Sequence, residues 1–296
     1  MKKVIYLAVL VLMMGVISCS DDDKISSETI FPTTSPERDA FDLWLQKNYT
    51  APYNIDVKYK MEDIESDMKY QLVPADSSKS AKIAILMKYL WFDAYSEVVG
   101  QNFVKANVPR IIHFIGSSAY NSNNTETVGT AEGGLKVTLY KINGIDESKI
   151  QTDAYYHRLN EYYFHTMHHE FTHILHQKIP YDTNFKLISE ANYRSNDWYL
   201  YSDETAQKSG FITSYAMSQP DDDFAETMST YVTSSKSEWE SDLSTAGASG
   251  AAIINQKLDI IRKYMSESWG LDIDQLRDVI QRRASEMKTL DLEHLN

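Results

Sequence analysis

Cysteine is almost missing from this chain. Cys19 is the only one in 296 residues, so no disulfide forms within the chain and no metal is held by cysteine ligands. Long apolar runs are missing too. VIYLAVLVLMMGV, beginning at Val4, is shorter than the ~20 residues that a membrane-spanning helix needs. There is no glycine-rich phosphate loop and no internal repeat. Basic residues are outnumbered, 29 Lys and Arg against 42 Asp and Glu, for a formal charge of -13. A surface of that sign argues against nucleic acid as a partner. What is present is ample for a core, since 43% of the residues are hydrophobic and 12% aromatic.

Met1-Lys2-Lys3 followed by the short apolar run has the plan of a secretory leader. The run ends in Val16-Ile17-Ser18-Cys19, which resembles a bacterial lipobox, with Cys19 as the residue that takes the lipid. Ser20-Asp21-Asp22-Asp23 resembles the acidic surface-export signal of outer-membrane lipoproteins. The expectation is a leader over 1–18 and a flexible acidic tether over 19–36. Residues 37–296 then form the domain, anchored by lipid and exposed on the cell surface. Loss of Lys2 and Lys3 with the leader makes the mature chain two charges more negative.

Periodicity gives the order of elements. Ser35-Pro36-Glu37 opens a helix carrying Phe41, Trp44 and Leu45. Residues 54–61 and 133–142 alternate as strands, and 109–116 reads as a buried strand. Residues 79–99 form a long helix closed by Gly100, and 121–129 a polar loop. A helix spans about 152–178, with Pro180 just beyond it, and helices and loops follow. This is an α+β plan: a mixed sheet with a long helix over 37–180, then a mainly helical lobe over 181–296.

The chemistry is concentrated in Thr166-Met-His-His-Glu-Phe-Thr-His-Ile-Leu-His-Gln177. His169 and His173 stand four apart, so on a helix both imidazoles reach one ion. Glu170 then stands where it can deprotonate a metal-bound water, as in the HExxH zinc hydrolases. At about 100° per residue, His165, His169, His173 and His176 share one stripe. Phe164, Met167, Phe171, Ile174 and Leu175 gather opposite. His165 and His176 are expected to line the cleft or support the ligands, and His168 falls off the stripe. His113, in an apolar strand, reads as a core histidine.

A catalytic zinc takes three protein ligands and a water, so a third must lie downstream. Glu190 lies 17 residues past His173 and Glu226 lies 53 past it. Phe224, Met228, Tyr231 and Val232 make an apolar face, with Glu226 opposite. Asp223-Phe-Ala-Glu226 also fits a capping box, and Asp222 and Asp223 read as caps. Spacing leaves both glutamates open. Tyr215, shortly before Glu226, is the candidate donor to a developing oxyanion.

The segments YNIDVKY, IGSSAYN, GTAEGGLKVTLY, HHEFTHILHQ and DDDFAETMSTYV resemble, in order, those of the substrate import-associated zinc metallohydrolase lipoproteins. The likeness covers most of the mature length. The pairing of HExxH with a later DFAE is also similar to that of anthrax lethal factor. The resemblance implies a zincin-like fold of the gluzincin type and Glu226 as the third ligand of Zn2+. It also implies association with an outer-membrane nutrient importer.

The expected activity is zinc-dependent hydrolysis of a peptide or glycopeptide. Glu170 acts as general base, Tyr215 steadies the oxyanion, and 134–137 is the edge strand that pairs with substrate. The rival reading is a non-catalytic surface lipoprotein that binds glycan or peptide around a structural zinc. Glu170 separates the two, because a structural site has no use for that carboxylate.

Overall fold

The protein was analysed as a computed structural model that describes residues 37–61, 69–121, 125–132 and 134–295. The leader, Cys19 and the tether lie outside these residues. Asp39–Asn296 forms one compact unit.

The first helix, α1 (residues 40–53), starts later than Ser35-Pro36-Glu37 suggests. Asp39 caps it, and Asp42 returns the bond to the Asp39 amide in a reciprocal capping box. Strand β1 (Asp56–Lys58) follows, then α2 (residues 77–99), α3 (Gln101–Asn107) and β2 (Ile111–Phe114). The polar stretch after β2 is not a plain loop. It holds β3 (Ala119–Tyr120), β4 (Glu126–Thr127) and β5 (Gly129–Glu132), followed by β6 (Lys136–Leu139).

The main sheet runs β1-β2-β6-β5, parallel except for β5, which pairs antiparallel with β6. The substrate-facing edge expected at 134–137 is therefore central, and the edge strand is β5. Val137, Thr138 and Leu139 are buried between neighbours on both sides, which a central strand requires. Gly129 explains how β5 lies so close to the helix beneath it. A Cβ there would come within 2.4 Å of the Thr166 methyl.

That helix, α4 (residues 153–178), is capped by Thr152, whose hydroxyl accepts from the Tyr155 amide. It contains a wide π-type turn over Asn160–Phe164 before resuming as His165–Lys178. Met167, Phe171, Ile174 and Leu175 are at most 1% exposed. Phe171 meets Trp91 and Tyr95 of α2 edge-on. This burial fixes the bearing of the opposite, histidine-bearing face.

Beyond α4 come α5 (Asn184–Ile188), α6 (Asp203–Lys208), α7 (Pro220–Thr233), α8 (Lys236–Trp269) and α9 (Ile273–Glu286). Helix α8 is broken at Gly247, where φ is 67°. The helical half does not stand apart, because α9 packs back on α2 and its Arg282 and Arg283 hold Glu97 at 2.7 Å. Among the described residues no helix is long and apolar enough to cross a membrane. The fold is α+β: a small mixed sheet, a long helix beneath its edge, and a helical second half.

Candidate metal centre

Helices α4 and α7 pack against each other and present all the side chains of the centre. Pro220 starts α7 with its preset φ, so the helix begins earlier than a capping box at Asp223 would require. Gln219 is the N-cap and bonds through no side chain. Asp222 and Asp223 are thereby inside the first turns and not caps, and both are buried. Their fates differ because they point to opposite sides.

Asp222 faces the histidines. Its Oδ1 lies 3.2 Å from His173 Nε2 and 3.8 Å from His169 Nε2, while Oδ2 accepts from the Ser218 hydroxyl at 2.6 Å. The two Nε2 atoms are themselves 3.0 Å apart. Glu226, one turn on, lies on the other side of His169. Its Oε1 is 2.8 Å from His169 Nδ1 and 3.2 Å from His165 Nε2, and its Oε2 accepts from Thr213 at 2.8 Å. His165 Nε2 also meets the Ser229 hydroxyl at 2.8 Å. Two trios of donor atoms thus share His169: His169, His173 and Asp222, and His165, His169 and Glu226.

Burial would lower the basicity of His169, but Asp222 and Glu226 overcome it and push the imidazole up to about 10. Burial likewise opposes ionisation of Asp222, yet the contacts with His169, His173 and Ser218 leave its pKa well below the usual range. Glu226 is also lowered, by His169 and His165 against burial. His176, whose Nε2 is 2.7 Å from His173 Nδ1, is pushed down to about 4 by burial and stays neutral.

These donors suit a divalent cation. A tetrahedral shell with bonds of ~2.0–2.1 Å has edges of ~3.3 Å, which the 3.0, 3.2 and 3.8 Å separations bracket. His169 Nδ1 is buried without a well-directed hydrogen bond, because Glu226 Oε1 stands close but out of line with it. Two imidazole nitrogens meeting beside two carboxylates leave a net charge that a cation balances.

Clefts open on both sides of the centre, and Glu170 lies in the wall of each. One, of about 510 Å³, is walled also by His173, His176, Tyr181, Lys186 and Asp222. The other, of about 380 Å³, runs under Thr127 and Val128 past Glu161, Trp198 and Tyr215. Tyr215 stands in a 3-10 turn with its ring 5.7 Å from that of His169, and Trp198 meets it edge-on at 4.9 Å.

The remaining sequence candidates fall away from the centre. Glu190 is exposed in a 3-10 turn and belongs to neither donor trio. His168 is buried with Nδ1 3.1 Å from the Tyr95 hydroxyl, and burial lowers its pKa to about 3. His113 is fully buried in β2. Sequence reasoning missed Asp222 as a member of the centre, Thr213, Ser218 and Trp198 around it, and Lys257 behind it. For Asp222 the signal existed: it stands four residues before Glu226 and so shares its face.

Residues 34–274 match the model of a family described as "Putative zinc-binding metallo-peptidase". The chain is also similar to a solved structure, a "putative zinc-binding metallo-peptidase" from Bacteroides caccae. Sequence identity is 45% and the TM-score 0.75, with 90% of this chain and 100% of that one covered. No curated protein matches.

Proposed function

Since the chain belongs to the family described as "Putative zinc-binding metallo-peptidase", we propose that it is a zinc-dependent peptidase of the HExxH type. One observation carries this reading. The paired Nε2 atoms of His169 and His173 lie between two clefts, and Glu170 lines both. A carboxylate at that junction meets any chain threaded from one cleft to the other.

His169 and His173 would hold the zinc with carboxylates from α7, Glu226 and Asp222 being the two within reach. Zinc, when bound, acidifies a water and polarises a carbonyl. Glu170 accepts the proton of the attacking water and delivers it to the departing amine. Tyr215, 37% exposed beside His169 and held by Trp198, donates its hydroxyl to the oxyanion. Burial raises its pKa, so the phenol keeps the proton it must donate. Edge strand β5, lying on α4 through Gly129, offers its free backbone to an extended peptide or glycopeptide.

The reading includes the site of action. The Val16-Ile17-Ser18-Cys19 sequence supports a lipid anchor at Cys19 on the outer membrane, exposed at the cell surface, with service to a nutrient importer. Glu170→Gln tests the chemistry. It should keep zinc and lose hydrolysis of a peptide library, and wild-type turnover by that variant would sink the mechanism. Metabolic labelling with a fatty-acid analogue tests the anchor, which Cys19→Ala should abolish.

A further inference from the structure

We propose that Asp222 is the carboxylate that coordinates the metal together with His169 and His173, while Glu226 holds His169 from behind through its other ring nitrogen. This inference rests on the zinc reading above and divides labour between two carboxylates that the reading leaves together.

The argument starts from the imidazole. Its two nitrogens point away from each other, so one ring does not offer both to the same ion. His169 Nε2 faces His173 Nε2 at 3.0 Å, and that places the ion on the Nε2 side. The carboxylate oxygen on that side is Asp222 Oδ1, at 3.2 Å from His173 Nε2 and 3.8 Å from His169 Nε2. Glu226 Oε1 stands instead 2.8 Å from His169 Nδ1. Metal-bound histidines commonly use their second nitrogen in this way, on a carboxylate or carbonyl that orients the ring.

The atoms pointing away from the ion are also accounted for. His173 Nδ1 meets His176 Nε2 at 2.7 Å. With neutral His176 as acceptor, His173 keeps its proton on Nδ1 and presents a bare Nε2. Asp222 Oδ2 is occupied by Ser218 at 2.6 Å, which leaves Oδ1 for the ion. Glu226 Oε2 is occupied by Thr213 at 2.8 Å, and its Oε1 is shared between His169 and His165. Each of the three ligands is thus held by one partner outside the shell.

Substitution of each carboxylate by cysteine, with cobalt(II) in place of zinc, separates a ligand from an orienting group. A thiolate bound to cobalt gives an intense near-ultraviolet charge-transfer band, and an unbound thiol gives none. Asp222→Cys should show the band and Glu226→Cys should not, with the wild type, which carries Cys19, as baseline. The reverse pattern overturns the proposal, as does a band in neither variant when the wild type binds cobalt.

Zinc affinity gives a second readout. Asp222→Asn should bind zinc more weakly than Glu226→Gln, which loses about 10- to 100-fold as orienting partners do. The opposite order refutes the assignment. A wild type that takes up neither zinc nor cobalt would instead bring down the zinc reading, and this assignment with it.

Discussion

Lys257 and Asp223 form an ion pair of 2.6 Å in which neither side chain has any exposed surface. The same ammonium donates to the Gly210 carbonyl, and Tyr193 donates to the same Asp223 oxygen at 2.9 Å. Through these contacts α8 holds both the first turns of α7 and the segment that carries Trp198 and Tyr215. Burial raises the pKa of Asp223 and lowers that of Lys257, the two opposing shifts that desolvation imposes on such a pair. Lys257→Met strands the carboxylate and should cost about 3–5 kcal/mol. Denaturant unfolding would measure it, and the double variant with Asp223→Leu should recover part of the loss.

Glu170→Gln preserves shape and removes the base. Turnover should fall by about 10²–10⁴-fold, the usual contribution of a positioned acid–base group. Zinc content by elemental analysis should stay at the wild-type level. A variant that loses its zinc would give Glu170 a structural part instead.

Tyr215→Phe keeps the ring beside His169 and Trp198 and deletes the hydroxyl. The expected loss is about 10²–10³-fold in kcat with little change in KM, as for removal of one oxyanion donor. Equal losses in binding and turnover would assign Tyr215 to substrate contact alone.

Removal of the metal should destabilise the protein. Two carboxylates and two imidazoles converge within a buried space, and a cation that binds only the folded chain adds its free energy to folding. At free zinc 100-fold above Kd this is about 2.7 kcal/mol. Thermal melts with and without chelator should show the lower midpoint in chelator, and identical melts would contradict it.

Gly129→Ala addresses the edge strand. The added methyl meets Thr166 at 2.4 Å, so β5 must lift from α4. Overpacking of this kind costs about 1–3 kcal/mol. Pairing the change with Thr166→Ser, which removes that methyl, should restore much of the loss in the same unfolding assay.

The histidine helix was legible because helical period and residue chemistry coincide there. Apolar residues on one face of α4 dictate where His165, His169, His173 and His176 must point. The sheet was less legible. Strands β3 to β5 are two to four residues long in a polar stretch, and they exist through pairing with distant partners that no local pattern displays. The carboxylates misled for another reason. Asp222 and Asp223 look like caps, and only the start of α7 at Pro220 shows that both lie within the helix. Lys257 and Trp198 carried no local signal, since their roles come from packing across long stretches of chain.

The wide turn over Asn160–Phe164 has a consequence for descent. It stores a spare residue just ahead of the histidines. Shedding that residue would return the run to regular α-geometry and turn the stripe by ~100° relative to the preceding turns. The Tyr163 hydroxyl bond to the Lys141 carbonyl, at 3.0 Å, and the bearing of the histidines would then no longer be kept together. A library of single-residue deletions across 145–178, scored for bound zinc, would read this out as intolerance within the turn. Lineages of this protein are therefore free to lengthen or shorten the connection before Thr152, but they inherit the five residues after Leu159 as a fixed count.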